Sequence, residues 1–93
     1  MTQLIQFDAV IIGAGIVGGT LAGLLAQGGA KIAVVEPRLP EVFEAESDFE
    51  LRVSAISRAS QRALDNVGAW EGVLSKRAHA YEAMQVWDAG GTG

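Results

Sequence analysis

The chain has 93 residues, of which 49% are hydrophobic and 19% are charged, so its composition is that of a folded globular protein. Its net charge of −4 disfavours a nucleic-acid partner, because an acidic surface repels phosphates. The sequence contains no cysteine, which excludes disulfides, thiolate catalysis and cysteine-based metal sites.

Residues 6–36 carry the pattern of a strand, a helix and a second strand. Phe7–Ile12 is a short apolar run ended by a glycine, as is typical of a buried parallel strand. Ile16–Gln27 has apolar residues at helical spacing and is followed by two glycines that can end a helix. Lys31–Glu36 predicts the second strand, which a right-handed crossover places parallel to the first. The helix residues expected to face the sheet are Val17, Leu21, Leu24 and Leu25.

The remainder of the chain predicts a loop, helices and one further strand. Residues 38–50 hold five acids and indicate a solvated, mobile loop. A helical segment is expected at 54–75, where Ser57–Val67 has an apolar stripe and Gly68 can serve as C-cap. Alternating apolar residues predict a strand at 83–88. These elements indicate an α/β fold with a Rossmann-like βαβ segment of parallel strands and packed helices.

One stretch also has the composition of a membrane span. Ala9–Ala30 contains no charged residue and is about as long as a transmembrane helix. Its Gly15-x-x-x-Gly19 spacing occurs in packed transmembrane helices as well. The β-branched cluster at Val10–Ile12 and the many glycines favour a strand and a turn instead. A signal peptide is disfavoured because Met1–Asp8 has no Lys or Arg, and we expect no transmembrane segment.

The turn between the first strand and the helix reads Gly13-x-Gly15-x-x-Gly18, and Glu36 ends the second strand. In a dinucleotide-binding turn, the first glycine permits a sharp bend and the second lets the backbone approach a pyrophosphate. The third lets the helix pack closely on the strand. Free N–H groups at the helix start would hold the phosphates. Glu36 would bind the ribose hydroxyls and repel a 2′-phosphate, which disfavours NADP.

The residues alone leave alternatives open. The glycine motif can also be a structural turn that binds nothing, and it does not distinguish FAD from NAD. Arg52 could reach a pyrophosphate as a fixed cation, although most arginines in such a position are solvated or paired. Ser54 and Ser57 are expected to be helix caps or polar contacts of the cofactor. We assign no role to His79.

A second set of residues extends the pattern beyond the glycine motif. It comprises Leu51–Ser57, Ala59, Ser60, Leu64, Gly68, Trp70, Leu74, Ser75, Tyr81, Met84 and Val86–Asp88. With these residues the chain closely resembles the ubiquinone-biosynthesis hydroxylases, which are FAD-dependent aromatic hydroxylases of the p-hydroxybenzoate hydroxylase type. The resemblance spans nearly the whole chain and is more specific in its second half than in the glycine motif.

The resemblance implies which residues bind FAD. The three motif glycines fall on the family's phosphate-binding turn, and Glu36 falls on its ribose-binding acid. Arg52 falls on the arginine that approaches the pyrophosphate and the flavin side. Arg38 also has a counterpart in close relatives, near the adenosine. The resemblance implies no catalytic residue and no metal ligand within this chain.

The resemblance also implies the reaction and the partners. Reduced flavin activates O2 and transfers one oxygen atom to a polyprenylated phenol on the way to ubiquinone, and NAD(P)H reduces the flavin. Other ubiquinone-biosynthesis proteins are expected partners, in the cytoplasm or peripherally at the inner membrane. The alternatives are an NAD-binding Rossmann segment of a dehydrogenase and a non-catalytic truncated product.

The family continues for several hundred residues beyond the counterpart of Gly93. Its central Asp-Gly motif, its later Gly-Asp motif and the sheet that covers the substrate have no counterpart here. We therefore expect residues 1–93 to be the N-terminal part of an FAD-binding domain. We also expect that the chain alone is not a competent hydroxylase.

Overall fold

The computed structural model describes residues 3–91. Its elements are β1 (Ala9–Ile12), α1 (Ile16–Gln27), β2 (Ile32–Val35), α2 (Arg58–Asn66) and α3 (Trp70–Leu74). The two strands form a parallel sheet in which Ala9 pairs with Ile32 and Ile12 pairs with Val35. The structure therefore confirms the α/β class and the predicted succession of strand, helix and parallel strand.

Backbone hydrogen bonds extend the strand pairing beyond both ends of the sheet. At one end, the Asp8 N–H donates to the Lys31 carbonyl at 2.8 Å, and the Lys31 N–H donates to the Asp8 carboxylate at 2.7 Å. At the other end, the Gly13 N–H donates to the Val35 carbonyl at 2.8 Å. This last bond fixes the start of the glycine turn against the tip of β2.

Among the described helices, α1 alone packs against the sheet. Both strands are apolar along their whole length, which is typical of a sheet covered by helices on both faces. In residues 3–91, Val10 and Ile12 on β1 remain 57% and 84% exposed.

The second helix packs on α1 and contributes Leu64, the one buried hydrophobic side chain within residues 3–91. The Ser57 hydroxyl accepts a hydrogen bond from the Ser60 N–H at 3.2 Å, which confirms Ser57 as the N-cap of α2. Gly68 follows α2 with a φ of +77°, as a residue after a helix C-terminus often does.

The structure corrects two expectations, one about which side chains of α1 face the sheet and one about a third strand. Val17, Leu21 and Leu24 were expected to face the sheet, but they line an apolar groove shared with α2, and Val17 is 82% exposed. The predicted strand at 83–88 does not form. A strand needs a hydrogen-bonded neighbour, and within residues 3–91 the two strands of the sheet pair only with each other.

Residues 38–50 form neither helix nor strand, and their side chains are exposed, as predicted for this acidic segment.

Candidate functional site

The glycine turn begins at Gly13, which has a φ of +105°. A residue with a Cβ is strained in this conformation, so glycine is the residue that lets β1 turn directly into α1. A Cβ built on Gly13 or on Gly15 would meet no atom within 4 Å. Open space therefore lies beside the backbone at both positions, where a ligand can approach it.

Gly18 is required because, unlike Gly13 and Gly15, it has no space beside it for a side chain. A Cβ built on it would lie 2.1 Å from the carbonyl oxygen of Gly13 and 3.3 Å from Cγ2 of Ile11. The absence of a side chain lets the first turn of α1 pack directly on the end of β1. This close approach fixes where the start of α1 lies relative to the glycine turn.

Within residues 3–91, no side chain caps the start of α1. Gly15 is the N-cap, no side chain accepts a hydrogen bond there, and the first turn contains no acidic residue. The N–H groups of a first helical turn lack intrahelical partners and carry the positive end of the helix dipole. With the open space at Gly13 and Gly15, this arrangement suits an anion such as a pyrophosphate.

Glu36 directs its carboxylate towards the same turn. Oε1 accepts a hydrogen bond from the Ala14 N–H at 2.9 Å, and Oε2 accepts one from the Arg38 N–H at 3.2 Å. Hydrogen bonds to the charged form, first from Ala14 and then from Arg38, hold the pKa of the Glu36 carboxyl below its ordinary value. The carboxylate is half-buried and is ionised at neutral pH.

The two arginines of the predicted site are placed differently. Arg38 lies two residues beyond Glu36, and its backbone N–H takes part in the carboxylate contact while its side chain is exposed. Arg52 is exposed on the segment that leads to α2. Residues 54–56, just after it, border the apolar groove together with Ile16 and Val17 of α1. The structure therefore brings the segment after Arg52 against the start of α1.

The groove has a volume of about 360 Å³ and runs between α1, the segment 54–56 and α2. Its lining is apolar except for Thr20, Ser54 and Ser60. Ser54, which the sequence allowed as either a cap or a cofactor contact, lies in this lining and does not cap α2. The sequence did not predict the groove, because it depends on how α2 docks on α1.

Ala14 was not predicted to be a site residue, yet its backbone N–H donates the hydrogen bond that Glu36 accepts at the turn. No side-chain signal could have identified it, because the contact uses a backbone group.

Within residues 3–91, no three His, Asp or Glu side chains are grouped so that they could hold a metal ion. None of the helices described there has both the length and the hydropathy to cross a bilayer.

The names of the known proteins that resemble the chain refer to ubiquinone or ubiquinol. The chain is 41% identical over 81 residues to the 3-demethoxyubiquinol 3-hydroxylase of Escherichia coli, covering 87% of this chain and 21% of the relative. It is 44% identical over 83 residues to the ubiquinone hydroxylase UbiL of Rhodospirillum rubrum, covering 89% and 19%.

A third relative is eukaryotic. The mitochondrial ubiquinone biosynthesis monooxygenase COQ6 of Homo sapiens is 36% identical over 88 residues, covering 89% of this chain and 19% of the relative. No family model matches the chain, and no solved structure matches it. The chain thus spans about a fifth of the length of these relatives. Over that span, the chain is similar to hydroxylases and monooxygenases of ubiquinone biosynthesis.

Proposed function

We propose that the chain is the segment of a flavin-dependent aromatic hydroxylase that holds the adenosine diphosphate half of FAD. The observation that carries this proposal is the Glu36 carboxylate at the Ala14 N–H, beside a helix start that no side chain within residues 3–91 caps. An acid for the ribose and free N–H groups for the phosphates then lie at one turn.

The residues present fit the cofactor. The open space at Gly13 and Gly15 would admit the pyrophosphate close to the backbone, while Gly18 keeps α1 packed on β1. On binding, the Glu36 carboxylate would accept hydrogen bonds from the ribose hydroxyls in place of those from the Ala14 and Arg38 N–H groups. The side chains of Arg38 and Arg52 are exposed and would add positive charge near the adenosine and near the pyrophosphate.

The activity of the whole protein is proposed from its relatives, whose names describe hydroxylases and monooxygenases of ubiquinone synthesis. Bound flavin, reduced by NAD(P)H, would supply the oxygen-transfer chemistry. The residues of this chain would bind and orient the cofactor, and none of them is proposed to be catalytic. The proposed substrate is a polyprenylated phenol.

A polyprenyl tail dissolves in the bilayer, so a peripheral position at the inner membrane and contact with other ubiquinone-biosynthesis proteins are part of the proposal. Residues 1–93 would form part of an FAD-binding domain whose remaining strands and substrate-covering sheet lie outside this chain. The chain alone is proposed to lack hydroxylase activity, because it spans only about a fifth of the length of the relatives whose names describe that activity.

Identifying the cofactor tests the proposal. The natural protein that carries this segment is purified, denatured and analysed for released nucleotides. Released FAD, with a flavin absorbance spectrum before denaturation, is the expected result. Release of NAD without flavin would favour the dehydrogenase alternative. Calorimetric titration of the chain with ADP provides the second measurement, and the absence of heat at millimolar ADP would indicate a turn that binds nothing.

A further inference from the structure

Arg77, three residues after α3, contacts the acidic loop of residues 38–50. Its Nη2 donates hydrogen bonds to the carbonyl oxygens of Ala45 and Ser47. Its guanidinium carbon lies 4.6 Å from the ring centroid of Phe49 and 5.7 Å from that of Phe43. We call these contacts of Arg77 with residues 43–49 the Arg77 clasp.

The clasp holds the loop at its middle. The loop starts at Arg38, two residues after Glu36, and ends two residues before Arg52, so residues of the proposed cofactor site lie at both of its ends. Apart from the clasp, the hydrogen bonds within this loop close one local turn, in which the Ser47 N–H and hydroxyl donate to the Glu44 carbonyl. The Arg77 clasp, together with the Lys76 ammonium 5.8 Å from the ring centroid of Phe43, thus ties this exposed loop to the segment that follows α3.

The chemistry of the clasp suits arginine specifically. A planar guanidinium can stack on aromatic rings while its N–H groups donate in the plane to carbonyl oxygens. A lysine ammonium is a compact point charge and cannot do both in this geometry. The hydrogen-bond acceptors are backbone carbonyls rather than the loop's carboxylates, so the contacts fix the path of the backbone.

We propose that Arg77 is a positioning residue of the cofactor site: by holding residues 43–49 it sets where Glu36 and Arg52 lie relative to each other. This inference rests on the proposed function, because it takes the two residues as contacts of one FAD molecule. Arg77 acts through the loop and does not touch the cofactor. Loss of the clasp leaves the glycine turn in place but frees the segment that carries Arg52.

The test compares four variants of the chain. Arg77→Ala removes the clasp, Arg77→Lys keeps its charge, and Phe49→Leu removes the nearer ring from a position that is already 78% exposed. Arg62→Ala is the matched control, because Arg62 is an exposed arginine of α2 outside the clasp. Hydrogen exchange of the Ser47 amide, which donates to the Glu44 carbonyl inside the clasped segment, is measured without ligand. FAD affinity is then measured by calorimetry, and circular dichroism verifies that each variant retains its helices.

We expect exchange of the Ser47 amide to rise about 5- to 30-fold in both Arg77 variants, and less in Phe49→Leu, with no change in Arg62→Ala. FAD affinity should fall most in the two Arg77 variants, less in Phe49→Leu and not at all in Arg62→Ala. Unchanged exchange in Arg77→Ala would overturn the clasp itself. Faster exchange with unchanged FAD affinity would overturn the positioning role. If the parent chain binds no FAD, the proposed function and the positioning role both fail, while the exchange data still decide whether the clasp exists.

Discussion

The Glu36 carboxylate accepts a hydrogen bond from the Ala14 N–H at 2.9 Å, which joins the tip of β2 to the middle of the glycine turn. The two residues are far apart in sequence and meet because parallel pairing puts the ends of both strands at one edge of the sheet. A carboxylate that can bind a ribose therefore lies at the turn whose N–H groups can bind phosphates.

The first prediction concerns the close contact at Gly18. Gly18→Ala should lower the free energy of unfolding by about 1–3 kcal/mol, because its Cβ would overlap the Gly13 carbonyl and force the backbone apart. Gly19→Ala is the matched control, since its Cβ would lie 3.6 Å from the Ala14 carbonyl, an ordinary contact. The control should gain about 0.5–1 kcal/mol from helix propensity. Thermal unfolding followed by circular dichroism compares the two, and equal midpoints would contradict the contact.

The second prediction concerns the packing of α1 on α2. A Cβ on Gly23 would lie 2.9 Å from Cγ1 of Val67, so Gly23→Ala should separate the two helices and destabilise the chain. Val67→Ala removes the Cγ1 methyl but keeps the Val67 Cβ, which would lie 3.0 Å from the new Cβ, so it should rescue Gly23→Ala in part. A double-mutant cycle should give a coupling of about 1 kcal/mol in the rescuing direction. Additive effects of the two substitutions would show that the helices do not meet at this point.

The third prediction follows from the lowered pKa of Glu36. Because the folded-state pKa lies below the unfolded one, the stability from this group is complete above the ordinary glutamate pKa of about 4.3. It is lost as the pH falls through the lowered pKa. The stability difference between the parent chain and Glu36→Gln should therefore shrink as the pH falls from about 7 to about 3.

The difference between these two proteins isolates Glu36, since every other carboxyl titrates in both. Glu82→Gln, which removes the same charge from an exposed position outside the turn, is the control variant. A pH-independent difference for Glu36→Gln would contradict the backbone hydrogen bonds at its carboxylate.

The fourth prediction concerns recognition of the ribose. The chain should bind ADP at least about tenfold more tightly than 2′-phospho-ADP, which differs from ADP by the 2′-phosphate alone, because the Glu36 carboxylate repels that phosphate. Glu36→Gln should reduce this preference, and Glu82→Gln should retain it. Calorimetry measures both ligands under one buffer condition. Equal affinity of the parent chain for the two ligands would remove Glu36 from the ribose site.

The parts of the fold that depend on neighbouring residues could be predicted from the sequence. Gly13 and Gly18 have local conformational or packing requirements that their spacing reveals, and Ser57 caps the helix that it directly precedes. The apolar runs of β1 and β2 likewise predict the parallel strands, whereas the burial they predict is not seen within residues 3–91.

The parts that depend on distant partners could not be predicted. Arg77 contacts Phe49 only because of the path of the loop, and no sequence spacing encodes that path. Val17 was expected to face the sheet, yet α1 approaches the sheet through glycine and leaves Val17 at the groove. The alternating pattern at 83–88 predicts a strand, but a pattern cannot supply the neighbouring strand with which it must pair.

The central claim is that the glycine turn with Glu36 binds the diphosphate and the ribose of the cofactor. Its most direct test is an NMR titration of the isotope-labelled chain with ADP, following backbone amides. We predict that the largest shifts occur at residues 13–18 and at Glu36, and that Glu36→Gln reduces them. Shifts confined to other parts of the chain, or none at millimolar ADP, would contradict the claim.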